Sequence, residues 1–308
     1  MQTDDDPNGP PVDVGLVGYG IMGAPMAKRL IENGHRVTVF DADDAALTRA
    51  AESGCVAAAT PSELAAQCPV IVLSLPRPEH VRLVVAEGPD CLLDGGREGT
   101  VIADTSTVDP QTSRDNARLA SRRGIGYLDC PVLGRPSNVG GWTIPAGGEA
   151  EHLEQVRPVL QAFAREVIHL GPVGRANTLK LLNNLMFGAI NSITAEVLAL
   201  SDHLDIERRL VFETIADSGA ATVSSLFVEL GRKMVDDEFT PNFSVDNLIK
   251  DVGLGIEMAT AAGVRLPLSE VGQAMNQEAQ DMGLGGEDSA AVVKIYNQTH
   301  RRDGDTTT

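Results

Sequence analysis

The chain has 308 residues and 43% hydrophobic content, enough for two domains of ordinary size. Its 43 acidic against 25 basic side chains leave a net charge of −18, which argues against nucleic acid and anionic membranes as partners. No run approaches the ~20 apolar residues of a membrane span, and the acidic start MQTDDDPNGP is unlike a secretion leader, so the sequence reads as cytoplasmic.

Residues 1–10 and the closing DGDTTT, 303–308, read as disordered tails. From residue 12 the pattern alternates. VDVGLVG reads as a buried strand, IMGAPMAKRLIENG as a helix closed by Gly34, and HRVTVFD as a second strand. DADDAALTRAAESG is a helix ended by Gly54, and CPVIVLSLP a strand followed by a helix near 78–86. GTVIADTST is a strand and 109–123 a helix. GYLDCPV and WTIPAGG read as strands around a glycine-rich loop, then a helix at 149–164 and a last strand, EVIHLG. Strands alternating with helices imply a doubly wound parallel sheet with crossover helices, an α/β unit over 11–173.

From Val173 onward strand signals fade. The stretch 175–203 reads as one helix of about 29 residues, or about 43 Å. Further helices are predicted near 206–217, 222–230, 244–262, 268–282 and 287–302, an all-helical unit over 174–302. A helix as long and apolar as 175–203 is buried on most sides, which suggests that a partner subunit covers part of it.

The segment 18-GYGIMG-23 is GxGxxG between a strand and a helix, and the next strand ends in Asp41. Gly18 permits the tight turn, Gly20 lets the backbone approach a diphosphate, and Gly23 lets the helix pack close. Tyr19, Ile21 and Met22 complete the cofactor-lining loop. The helix start offers free N–H groups and partial positive charge. Asp41 can accept from both ribose hydroxyls and would repel a 2′-phosphate. It is followed by Ala42, with no arginine for such a phosphate, so the pattern favours NAD over NADP.

One lysine stands in the apolar run 177-NTLKLLNN-184, with Asn183 and Asn184 three and four residues on, on the same helix face. Only five of the 25 basic residues are lysines: Lys28, Lys180, Lys233, Lys250 and Lys294. A chain with a carboxylate-rich surface and so few lysines, as in proteins of salt-loving organisms, has less reason to place one on a solvated stripe. Cys55, Cys68, Cys91 and Cys130 are scattered, form no CxxC pair and have no clustered His, so they read as reduced structural thiols and no metal site is expected.

GYGIMGAPMAKRLIENGHRVTVFD, 104-DTSTVDP-110, 129-DCPVLG-134 and 180-KLLNN-184, in this order, resemble the β-hydroxyacid dehydrogenases. These include the 3-hydroxyisobutyrate, tartronate-semialdehyde and 6-phosphogluconate dehydrogenases. The resemblance covers about residues 12–300. It implies a Rossmann domain joined by a long helix to an all-helical domain, a homodimer or homotetramer, and hydride transfer between the nicotinamide and a small anionic β-hydroxyacid or related aldehyde.

By the same resemblance Lys180 is the general acid/base and Asn184 the substrate hydrogen-bonding residue, with Asn183 beside it. Burial disfavours the charged form of an amine, which suits proton transfer near neutral pH. Ser106 and Thr107 resemble residues near nicotinamide and substrate; they are also placed to cap the helix that follows. In 243-FSVDNLIKD-251, Lys250 matches a lysine that closes over the cofactor, accompanied by Phe243 and Asp251. Leu75 and Pro76, at the end of LSLP, would line the cofactor's ribose.

The family's substrate loop reads D-x-P-V-S-G-G, whereas this chain reads 129-DCPVLGRPSNVGG-141. Leu133 replaces the serine and Arg135 the second glycine. The amides of Gly134 and Arg135 remain for a substrate carboxylate, and Arg135 adds a fork of donors suited to a carboxylate, sulfonate or phosphate. Ser137 and Asn138 are further polar candidates. Ala176 stands where the family often has glycine. A sulfolactaldehyde-type or other semialdehyde reductase is the alternative within the family. An imine reductase or a non-catalytic dinucleotide-binding module fits less well, because both commonly lack the lysine.

Overall fold

The computed structural model describes residues 11–218, 222 and 224–301, with the side chains of 297–301 excepted. The tails expected at 1–10 and 303–308 lie outside the described residues. Contacts divide the chain into two compact units between Lys180 and Leu181; sequence texture alone sets the boundary at 173/174.

The first unit runs β1 (Asp13–Val17), α1 (Gly23–Glu32), β2 (Arg36–Phe40), α2 (Asp44–Glu52), β3 (Val56–Ala57), α3 (Pro61–Gln67), β4 (Val70–Leu73), α4 (Pro78–Arg82), α5 (Leu92–Gly95), β5 (Val101–Asp104), α6 (Pro110–Ser121) and β6 (Gly126–Asp129). The six strands form one parallel sheet in the order β3-β2-β1-β4-β5-β6. Their side chains alternate between two apolar layers, as the two-residue period of a strand requires. Val14, Leu16, Val70, Val72, Val101 and Ala103 pack with Met26 and Leu30 of α1 and Ala46 of α2. Ile71, Leu73 and Ile102 pack with Leu64, Val81, Leu92 and Ala120. Both faces are covered, so the strands read as continuous apolar runs rather than alternating ones. The strand order reverses between β1 and β4, and at such a switch point ligands bind beyond the carboxyl ends of the strands.

β7 (Trp142–Ala146), α7 (Ala150–Gln161) and β8 (Ala164–His169) complete the first unit's regular elements. The two strands pair parallel with each other in a separate small sheet. An antiparallel bridge between Asp129 and Gly147 ties this pair to the end of β6. Three features differ from the sequence reading. β3, α3 and α5 carry no apolar run long enough to announce them, although Thr60 caps α3 through Glu63 N and Pro61 opens it. The helix expected over 78–86 breaks into α4 and a π-helical turn, Leu83–Glu87. The helix expected over 149–164 stops at Gln161, and Ala164 already belongs to β8.

α8 (Arg175–His203) is the single 29-residue helix that its sequence predicts. Its residues through Lys180 belong to the first unit and those from Leu181 to the second. The second unit continues with α9 (Arg208–Asp217), α10 (Ser225–Asp236), α11 (Val245–Ala261) and α12 (Pro267–Ala279). Ser224 and Ser244 cap α10 and α11 by accepting from Phe227 N and Asn247 N. The core gathers Ala195, Leu198, Phe212, Leu230, Met234 and Val245. The segment expected as a helix over 287–302 is wound more tightly, as a 3-10 run over Ser289–Arg301. An i to i+3 bond from Ala291 N to Asp288 O, 2.8 Å, starts that winding.

Candidate active site

The turn between β1 and α1 shows why its three glycines differ. Gly18 has φ +96°, and a Cβ there would lie 2.3 Å from the carbonyl oxygen of Ser74. A Cβ on Gly23 would lie 1.9 Å from the carbonyl oxygen of Gly18. A Cβ on Gly20 would meet nothing within 4 Å, so its backbone faces open space. Met22 holds the cap position of α1 and supplies no side-chain acceptor to the opening amides. Tyr19 is buried and Ile21 is exposed. One oxygen of Asp41 accepts from Tyr19 N at 2.7 Å and the other from Asp43 N at 2.9 Å. Uncapped amides, an approachable glycine backbone and a fixed carboxylate at the end of β2 fit a dinucleotide's diphosphate and ribose.

The ends of β4, β5 and β6 carry the next layer. Ser106 is buried, and its hydroxyl accepts from Leu75 N at 2.9 Å, which fixes the Leu75–Pro76 backbone. It does not cap the following helix. Asp109 does, accepting from Thr112 N at 2.8 Å. Thr107 is half-buried beside Ser106. Two fully buried carboxylates lie at partnered positions of β5 and β6, Asp104 and Asp129. Asp104 accepts from Tyr127 Oη at 2.6 Å and from Ser106 N at 2.9 Å. Burial pushes its carboxyl up to about 6, more than those hydrogen bonds pull it down. Asp129 accepts from Gly174 N and Asn177 N, both at 2.8 Å, and burial raises it as well.

Lys180 is half-buried, and its Nζ donates to the carbonyl oxygen of Val132 at 2.9 Å. The loop beyond Val132 is held by backbone bonds between Leu133 and Thr143 and by Trp142 Nε1, which donates to Arg135 O at 2.7 Å. Gly134 is needed there, since a Cβ would lie 2.2 Å from the Trp142 ring. Arg135 is half-buried, whereas Ser137 and Asn138 are exposed in a short 3-10 turn.

In the second unit, Asn184 is buried and its amide donates to Asp251 Oδ2, while the exposed Asn183 donates to Asn184 Oδ1 at 3.2 Å. Lys250 Nζ lies 2.6 Å from Asp251 Oδ1, and its side chain is 14% exposed. It is therefore no loose surface lysine. Phe243 packs edge-on against Phe187 with centroids 5.4 Å apart. Asp251 thus orients both Asn184 and Lys250. Sequence reading singled out neither Asp104 nor Asp129, although each ends an apolar strand with an acid, as Asp41 does. Among the described residues no group of three His, Cys, Asp or Glu side chains is arranged to hold a metal ion, and no helix is long and apolar enough to cross a membrane.

The model of the NAD binding domain of 6-phosphogluconate dehydrogenase matches residues 13–171, and that of the NAD-binding region of NADP-dependent 3-hydroxyisobutyrate dehydrogenase matches 174–296. The chain belongs to the β-hydroxyacid dehydrogenase family. It is 30% identical over 289 residues to 2-(hydroxymethyl)glutarate dehydrogenase of Eubacterium barkeri, covering 93% of this chain and 95% of that one. It is equally identical, over 288 residues, to 3-sulfolactaldehyde reductase of Escherichia coli (strain K12), covering 91% and 94%. The crystal structure of a 3-hydroxyisobutyrate dehydrogenase from Salmonella typhimurium superposes with a TM-score of 0.85 at 28% identity, covering 92% of this chain and 99% of that one. As a β-hydroxyacid dehydrogenase, the chain is an NAD(P)-binding oxidoreductase that acts on CH–OH groups of small hydroxyacids.

The folded-state carboxyl of Asp104, at about 6, lies above its ordinary 3.8. A raised carboxyl stabilises the fold fully below its unfolded value, and that contribution is lost as pH rises through 3.8 to about 6. Relative to Asp104→Asn, the wild type should lose about 2 kcal/mol of unfolding free energy between pH 4 and pH 7, at about 1.4 kcal/mol per pH unit in the steep part of that range. Urea titrations at the two pH values read the difference, and a constant gap between the two proteins would refute it.

Proposed function

We propose that this protein is an NAD-dependent dehydrogenase of a small anionic β-hydroxyacid, with Lys180 as its proton-transfer group. The observation that carries this reading is the Lys180 ammonium held at 2.9 Å from Val132 O, at the start of the substrate loop. The nicotinamide, when bound, takes or gives the hydride. In oxidation, a neutral Lys180 removes the hydroxyl proton as the carbinol hydrogen leaves with its electron pair, and the carbonyl forms. In reduction, the Lys180 ammonium returns that proton to the forming alkoxide. Asn184, oriented by Asp251, hydrogen-bonds the reacting oxygen or the carboxylate. Ser106 and Thr107 border the nicotinamide end. Gly18 to Gly23, Leu75 and Pro76 line the diphosphate and ribose, and the family resemblance assigns Phe243 and Lys250 to the cofactor as well.

Asp41 supports NAD over NADP. Its two oxygens are already oriented, a ribose diol can share them, and a 2′-phosphate would meet like charge. Leu133 and Arg135 favour a substrate whose far end is an anion gripped by guanidinium rather than by a serine hydroxyl. The similarity to a protein named 3-sulfolactaldehyde reductase keeps a sulfonated C3 compound among the candidates.

Leu182, Met186, Ile193, Val197 and Leu200 form an exposed apolar stripe along α8, continued by Leu204 just past its end, with Leu268 and Val271 exposed on α12. A stripe of that length supports a homodimer or homotetramer. Light scattering should give at least twice the monomer mass, and a monomer at micromolar concentration would argue against it.

A panel of C3–C6 hydroxyacids, their aldehydes and sulfonate analogues, assayed with NAD and NADP side by side, tests the reaction class. On the best substrate, Lys180→Ala should lower kcat by about 10²–10⁴-fold, the usual weight of a general acid/base, with dinucleotide affinity retained. Full turnover in that variant removes Lys180 from the chemistry. Arg135→Ala should raise KM for the anionic substrate about tenfold or more, the loss expected for a hydrogen bond to a charged group. An unchanged KM would show that the guanidinium does not grip the anion.

A further inference from the structure

We propose that Asp129 is a positioning residue for Lys180: it fixes α8 along its axis against the end of β6, so that the lysine amine meets the start of the substrate loop. This rests on the reading of Lys180 as the proton-transfer group.

Two ties join the same two segments in the same register. Asp129 accepts from Asn177 N, and Val132 O accepts from Lys180 Nζ; both ties span 48 residues. Asp129 and Val132 are three residues apart on one strand end and its loop. Asn177 and Lys180 are three residues apart on one helix. A slide of the helix relative to β6 therefore moves the root of Lys180 by the same amount. The lysine stem alone cannot define the amine's place, because its four-carbon chain is flexible.

The helix start carries no capping side chain of its own, although Arg175 N finds a local acceptor in Pro172 O at 3.3 Å. The first turn of a helix leaves amides without intrahelical partners, which a side chain at the cap position usually satisfies. Here that position is Gly174, with φ +93° and no side chain. Asp129, 45 residues earlier, supplies the acceptor instead and takes Gly174 N as well. Its negative charge faces the positive end of a 29-residue helix. A second support acts through the Asn177 side chain, which accepts from Val108 N at 3.2 Å and donates to Ser113 Oγ at 3.2 Å. That support remains when Asp129 is altered, so variants should fold with the helix start displaced.

Asp129→Asn tests this directly, since the amide keeps one acceptor and presents N–H groups to a second donor. Gly147→Ala tests it with the carboxylate's chemistry unchanged but its position pressed, because a Cβ at 147 would lie 2.4 Å from Asp129 Oδ1 and 3.0 Å from Pro172 O. Both variants should lower kcat by about tenfold to a hundredfold, the scale expected when a reacting group is misplaced by about 1 Å. Dinucleotide affinity, read by NADH fluorescence, should stay within about threefold, since the glycine turn is untouched. A folded Asp129→Asn protein with wild-type kcat overturns the proposal. So does a parallel fall in kcat and dinucleotide affinity, or the failure of both variants to give folded protein, either of which makes Asp129 merely structural. Full turnover in Lys180→Ala, by contrast, removes the underlying reading of the lysine.

Discussion

Burying a carboxylate is costly unless hydrogen bonds replace its hydration, and this fold buries two at partnered positions of adjacent strands, Asp104 and Asp129. Each accepts from backbone amides of a neighbouring segment, and Asp104 also from the Tyr127 hydroxyl. Asp104 holds Ser106 N, and Ser106 in turn holds Leu75 N. Asp129 holds Gly174 N and Asn177 N. The C-terminal ends of β4, β5 and β6 and the start of α8 are thereby set against one another through two side chains. Apolar packing is non-directional and tolerates small slides. Hydrogen bonds to buried charge do not, because a displaced amide leaves the carboxylate unpaired. The sheet thus obtains stability from its apolar layers and precision from its acids.

A different constraint governs the β1–α1 turn. There the need is for absence of side chain, and each glycine meets a different neighbour: Gly18 the Ser74 carbonyl, Gly23 the Gly18 carbonyl, Gly20 open space. Two of the three are required by the protein's own packing, and the third leaves room for a ligand. Charge is managed as carefully in the second unit. Lys250 and Asn184 both approach Asp251, so a buried acid is compensated by an ammonium on one oxygen and an amide on the other.

Features with local periodicity were legible in the sequence. The six-stranded parallel sheet follows from apolar runs alternating with amphipathic helices, and α8 from an unbroken 29-residue stretch. β3 is two exposed residues, and α3 is a seven-residue helix marked only by Thr60 and Pro61, so neither carries enough pattern to stand out. Lys180, Asn184, Asp41 and the glycines were legible because each sits in a short motif with a physical reason for its residue type. Asp104 and Asp129 were not, because Tyr127 and Asn177, which they hold, lie 23 and 48 residues away, and the tie of Asp251 to Asn184 spans 67. A long-range hydrogen bond leaves no trace in spacing. The same hint, an acid ending an apolar strand, stands at Asp41, Asp104 and Asp129, but only at Asp41 does a glycine motif on the preceding turn give it a meaning.

The loop after Val132, proposed above to meet the substrate, joins a fixed backbone to variable side chains. Its path is set by the core: Trp142 is fully buried, its ring excludes any side chain at 134, and its Nε1 holds Arg135 O. Leu133 is fixed by two backbone bonds to Thr143, neither of which depends on the side chain at 133. Positions 133 and 135 can therefore exchange serine for leucine, or glycine for arginine, while the backbone between them stays where Trp142 and Thr143 hold it. Lys180 reads this same segment through the Val132 carbonyl, again a backbone atom. The proposed proton-transfer group is thus referenced to main chain and the proposed anion contact to side chain, and this separation lets the two vary independently.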